Sequence, residues 1–94
     1  MSVVVAPDLR ESRRGAFDGP AWVTLYNDDW HTFDEVIAQL VLAGACGPEA
    51  AREHAWRVHT EGRSRVFDGT RADCERVAGV LRRIRLQVEV DWNG

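Results

Sequence analysis

The clearest pattern in the chain lies near its end, where Leu86, Val88, Val90 and Trp92 alternate with Gln87, Glu89, Asp91 and Asn93. A period of two sends the two sets to opposite faces, so this segment reads as a half-buried strand with its apolar set toward a core. A second strand is predicted at Trp22-Val23-Thr24-Leu25-Tyr26, which is aromatic and β-branched and is stopped by the polar run Asn27-Asp28-Asp29. Ser64 to Phe67, closed by Asp68-Gly69, is a shorter candidate of the same kind.

Between these strands the hydrophobic period lengthens. Phe33, Val36, Ile37, Leu40 and Val41 recur at helical spacing up to Gly44, and Thr32 with Glu35 forms a T-x-x-E capping box, which predicts a helix from about 32 to 43. Pro48 stands at a first helical turn, and Ala51, Ala55 and Val58 make a narrow apolar stripe before Gly62, which predicts a second helix over 48–60. Thr70 and Asp73 mark an N-terminus, and Cys74, Val77, Ala78, Leu81 and Ile84 carry a third helix.

The order strand, helix, helix, strand, helix, strand specifies one α+β domain over residues 21–94. It predicts a three-stranded antiparallel sheet with the helices packed on one face. Residues 1–20 mix Ser, Arg, Asp, Gly and Pro without periodicity and read as a flexible N-terminal tail. There are no internal repeats.

Composition narrows the classes. Ninety-four residues allow one small core. Fifteen acidic against twelve basic side chains give a net charge of -3, without the basic excess of a phosphate-backbone binder, so no nucleic-acid partner is expected. All twelve basic residues are arginine, which excludes lysine Schiff-base chemistry. The cluster Arg76, Arg82, Arg83 and Arg85 has Asp73 and Glu75 nearby and reads as a solvated helix face. Cys46 and Cys74 read as reduced thiols, Cys74 on a buried helix face. No apolar run reaches the ~18 residues of a membrane span. The opening MSVVVAP is too short for a signal core, so a cytoplasmic protein is expected.

Candidate chemistry is sparse. Asn27-Asp28-Asp29 sits between a strand and a helix, where its side chains either cap an Asx turn or point at a ligand. His59 ends the second helix, where a histidine is either solvated or functional. His31, His54 and His59 match no metal-ligand spacing. No serine or cysteine stands in a nucleophile motif, and no cofactor is implied. Of the four tryptophans, Trp22 and Trp92 are expected in the core, while Trp30 has the setting of an exposed residue.

Two motifs carry a resemblance. Asn27-Asp28-Asp29 followed by Trp30, and Val58-His59-Thr60-Glu61-Gly62-Arg63, occur in the order seen in the ClpS family, and the similarity runs from about Ala21 to Asp91. The resemblance implies a non-enzymatic bacterial adaptor that captures N-degron proteins or peptides. It reads their free α-amino group together with a bulky first side chain, Leu, Phe, Tyr or Trp. It also implies a monomer that hands its cargo to the N-terminal domain of a Clp ATPase, ClpA-like or ClpC-like, the N-terminal extension assisting transfer.

Carried over residue by residue, the resemblance assigns Asn27, Asp28 and His59 to the amino group, with Asp29 and His31 beside them in the substrate-binding set. Phe33, Val36, Ala55, Val58 and Leu86 line the side-chain pocket. An ammonium has three donors and one positive charge, and a carboxylate, an amide oxygen and an imidazole nitrogen match it chemically. The chain departs from the family pattern at four of these positions or their neighbours. Phe33 and Ala55 replace methionines, His31 stands where a small hydroxyl residue is common, and Thr32 replaces a proline. The rival readings are a domain of the same fold with a different protein ligand, and a small hydrolase or metal protein. Peptides differing only in residue one discriminate among them.

Overall fold

The computed structural model describes residues 20–93, so the tail expected over residues 1–20 lies, apart from Pro20, outside the described residues. The elements follow as β1 (Ala21–Tyr26), α1 (Phe33–Leu42), α2 (Pro48–Glu61), β2 (Arg63–Gly69), α3 (Arg71–Arg82) and β3 (Gln87–Trp92). The strands form one antiparallel sheet in the order β2-β1-β3, as the α+β reading requires. Alternation along β1 buries Ala21, Val23 and Leu25 and leaves Trp22, Thr24 and Tyr26 half-buried on the other face. The helices cover the first of these faces: α3 lies against all three strands, α2 lies against β2, and α1 packs on α2 and α3.

Local chemistry sets the element ends. Thr32 Oγ1 accepts from the Glu35 amide at 3.1 Å, and Glu35 Oε1 accepts from the Thr32 amide at 2.8 Å, completing the capping box that opens α1. Such a cap contributes about 1 kcal/mol. Pro48 occupies the first turn of α2, and Gly62 ends that helix in the left-handed region at φ 95°. The Gly62 carbonyl then accepts from the Asn27 amide at 2.9 Å, tying the end of α2 to the residue after β1. Pairing of β1 with β2 shifts between Val23 and Thr24, which face Phe67 and Arg65, so Val66 is the extra residue of a bulge.

The core joins Val23 and Leu25 from β1 with Leu40 from α1 and Cys74, Val77 and Leu81 from α3, all fully buried. Both cysteines are free thiols. Gln39, also buried, satisfies its amide by donating to the Val80 carbonyl at 2.7 Å.

Three expectations are corrected. Ile84 does not belong to α3, which ends at Arg82 with Arg83 as its cap; the left-handed Arg85, φ 65°, then reverses the chain toward β3. Trp22 is not in the core, because Val23 and Leu25 take the inward parity of β1, and the Arg65 guanidinium covers its ring at 4.3 Å. Trp92 has the inward parity of β3 but stands at the end of the strand, is exposed, and is covered by Arg71 at 3.6 Å. The arginine cluster is exposed as a solvated face would be. Two of its members also reach back: Arg76 donates to the Ala43 carbonyl and Arg82 to the Val88 carbonyl, each at 3.2 Å.

Candidate functional site

The loop between β1 and α1 is organised by one carboxylate. Asp28 Oδ1 accepts from the amides of Trp30, at 3.1 Å, and His31, at 2.9 Å, which is how an aspartate closes an Asx turn. Its other oxygen, Oδ2, lies 2.6 Å from His31 Nδ1. The far side of that ring, Nε2, is 2.5 Å from the carbonyl oxygen of Ile84, in the turn after α3.

Both partners of His31 are acceptors, an arrangement fully satisfied by the doubly protonated ring, in which both nitrogens donate. The side chains of His31 and Asp28 are only 5% and 10% exposed, so this is a buried ion pair. Burial works against both charges, but the bonds outweigh it. The Asp28 carboxylate and the Ile84 carbonyl hold the His31 pKa above its ordinary value, and the His31 and Trp30 amides with the His31 ring hold that of Asp28 below its own.

Beside this pair opens a cavity of about 410 Å³, within the range of small-ligand sites. Val36 from α1, Ala55 and Val58 from α2, and Leu86 ahead of β3 are its buried apolar lining. Phe33, the first residue of α1, lines it as a partly exposed ring. Asn27, Asp28, Asp29 and His31 from the loop, and His59 from the last turn of α2, supply the polar lining, with Asn27, Asp29 and His59 exposed and the side chains of Asp28 and His31 nearly buried. All ten residues predicted from the sequence thus line one cavity.

Their availability differs. His31 spends both ring nitrogens on the protein and offers neither to a ligand. Asp28 already accepts three bonds, yet a carboxylate has about four lone-pair sites, so it retains capacity for another donor.

Leu25, Tyr26 and Thr32 also line the cavity and were not singled out in the sequence. Leu25 was findable as the last inward residue of β1. Trp56 was missed as well. Its ring lies 6.3 Å from that of Phe33 and 6.1 Å from that of His59, and the Phe33 and His59 rings are themselves 6.3 Å apart. The available signal was an aromatic side chain three residues before His59, on the same helix edge.

The other histidine is engaged elsewhere. His54 Nδ1 lies 2.7 Å from the hydroxyl of the buried Ser64, burial lowers its pKa, and neither residue lines the cavity. Among the described residues no group of three His, Cys, Asp or Glu side chains is placed to hold a metal ion. No described helix is long and apolar enough to cross a membrane. Burial pushes the Cys74 thiol up in pKa, aided by nearby aspartates, so it stays protonated in the core.

Comparison with known proteins bears on the family and the fold. The profile of the family described as "ATP-dependent Clp protease adaptor protein ClpS" matches residues 18–89. A segment of the Drosophila melanogaster protein named E3 ubiquitin-protein ligase UBR1 is 38% identical over 64 residues, 67% of this chain and 4% of that protein. The Caenorhabditis elegans E3 ubiquitin-protein ligase ubr-1 is 41% identical over 59 residues, 63% of this chain and 3% of that one. The chain therefore spans only a small fraction of the ligases' length. The structure of Agrobacterium tumefaciens ClpS2 bound to L-phenylalaninamide superposes with a TM-score of 0.72 at 19% identity, covering 79% of this chain and 96% of that one. At that identity the likeness speaks for the fold.

Proposed function

The chain belongs to the ClpS family of ATP-dependent Clp protease adaptor proteins, and from that premise we propose that it binds the free N-terminal residue of substrate proteins. The bound residue is bulky and apolar: Leu, Phe, Tyr or Trp. Asn27, Asp28 and His59 take the α-amino group, and Phe33, Val36, Ala55, Val58 and Leu86 surround the first side chain. The bound protein is then delivered to the N-terminal domain of a Clp unfoldase of the ClpA or ClpC type, in the cytoplasm, without chemistry on the part of this chain.

The observation that carries this reading is the division of one cavity into a buried apolar lining and a polar set from two separate segments. An α-amino group and its own side chain leave the same carbon, so a ligand of this class needs both chemistries within a few ångströms of each other. L-phenylalaninamide, the ligand of the ClpS2 structure, combines a free amino group with a bulky ring. The segment shared with the UBR ligases fits a recognition module used in more than one degradation system.

The test is calorimetry with peptides that differ only at residue one, each in free and N-acetylated form. Binding should require a bulky apolar first residue and disappear on acetylation. Affinity independent of both features would falsify the adaptor reading and favour a domain of this fold with another ligand.

A further inference from the structure

Of the three clustered rings, Phe33 and His59 line the cavity, while Trp56 stands beside them outside its lining and is not used in recognition of residue one. Trp56 is 60% exposed and Phe33 38% exposed, although the opposite face of α2 is packed into the core. Exposed apolar residues that cluster beside a ligand cavity offer a surface for further contact. Phe33 lines the first cavity and also a second, open one of about 740 Å³ on the outer side of α2, where Trp56 is its aromatic neighbour. The two spaces therefore adjoin at a single ring.

We propose that Phe33, Trp56 and His59 form a second subsite, which takes the side chain of the bound peptide's second residue and favours aromatic or large apolar ones. The proposal rests on the adaptor reading, which fixes where residue one lies.

Its geometry follows from chain dimensions. Successive Cα atoms are about 3.8 Å apart and successive side chains of an extended chain point to opposite sides. With the first side chain in the cavity, the second must leave it within one such step, and the rings, 6.1 to 6.3 Å from one another, stand beside that cavity where it adjoins the outer groove. Edge-on and tilted arrangements, 71° between Phe33 and Trp56 and 41° between Trp56 and His59, leave ring faces open to an incoming side chain. The rest of the groove sets Glu49, Glu53 and Glu61 against Arg52 and Arg57, a mixture that gives an acidic second residue no clear partner.

The experiment uses the full chain and Phe-first peptides carrying Trp, Ala or Glu at residue two, with a further peptide carrying Trp at residue three. Each is measured by calorimetry in free and acetylated form. Wild type should bind the Trp-second peptide about 3- to 10-fold more tightly than the Ala-second peptide, the range for one added aromatic pair. Trp56→Ala should bring that ratio close to one, and Trp56→Phe should keep most of it. Equal affinity of wild type for Trp-second and Ala-second peptides overturns the subsite whether or not any variant folds. So does a ratio unchanged in a folded Trp56→Ala protein, or a preference that follows residue three. In each of these cases binding still requires the free amino group. Loss of that requirement in wild type overturns the adaptor reading itself, and the subsite with it.

Discussion

His31 Nδ1 donates to Asp28 Oδ2 across 2.6 Å, pairing two side chains of one loop while the other end of the ring is held by Ile84. The pair makes stability depend on pH in a definite direction. The folded His31 pKa lies above its ordinary value of 6.5, with Asp28, the Ile84 carbonyl and Glu35 all favouring the charged ring. Its contribution is therefore complete below about pH 6.5 and is lost as pH rises through the folded pKa. Asp28 is shifted down from 3.8, so its contribution is present above that pH and lost on acidification through the lower value. Urea denaturation from pH 5 to pH 9 should show wild type losing stability above neutrality, and His31→Gln lacking that loss. Parallel profiles for the two proteins would remove the pair as a source of stability.

Asp28 has two roles that different substitutions separate. Asp28→Asn retains an oxygen for the Trp30 and His31 amides, so the turn should survive, but it removes the charge that pairs with His31, lowering stability somewhat, and that is proposed to meet the ammonium. Hydrogen bonds to charged groups contribute about 1.5–3 kcal/mol, so affinity for a Leu-first peptide should fall about 10- to 150-fold with circular dichroism unchanged. Asp28→Ala should lose the affinity and melt earlier still, because the turn-closing oxygen goes as well. Full affinity in folded Asp28→Asn would detach the carboxylate from ligand binding.

Ala55 is a buried residue of the cavity lining, at a place where the ClpS pattern carries methionine. Ala55→Met adds a flexible side chain to that space and should disfavour large rings most. Trp- and Phe-first peptides should weaken relative to Leu-first peptides, by about 1–3 kcal/mol per methylene-sized misfit. An unchanged Leu-to-Trp ratio would show that Ala55 does not set the depth of the pocket.

Gly62 tests the joint between α2 and the loop. A Cβ built there meets no atom within 4 Å, so Gly62→Ala pays only for its backbone conformation at φ 95°. That conformation costs an L-residue about 1–2 kcal/mol, and the midpoint of urea unfolding should drop accordingly. A loss well above that range would mean that the substitution also breaks the bond from Asn27.

Much of the fold was legible because local rules agreed with each other. The capping box at Thr32 and Glu35, the proline opening α2 and the glycine closing it each state a backbone requirement in one or two residues. The tryptophans were harder. Parity with Val23 and Leu25 already put Trp22 outside, but a preference for burying large rings pointed the other way. Trp92 obeys parity yet is exposed at the end of β3, where Arg71 at the start of α3 lies over its ring, a fact of packing that no local pattern carries. In the site, ten residues could be named in advance, yet the commitment of His31 was hidden. It depends on Ile84, a residue expected on a helix and found in the turn after it.

The bond from the Asn27 amide to the Gly62 carbonyl joins the end of β1 to the end of α2. That amide proton can reach solvent only when the two segments part. Its deuterium uptake is therefore a clock for the assembly of the whole recognition surface, separate from global unfolding. A ligand gripped between Asn27 and His59 holds the joint closed and should slow the clock, making one backbone amide a reporter of occupancy.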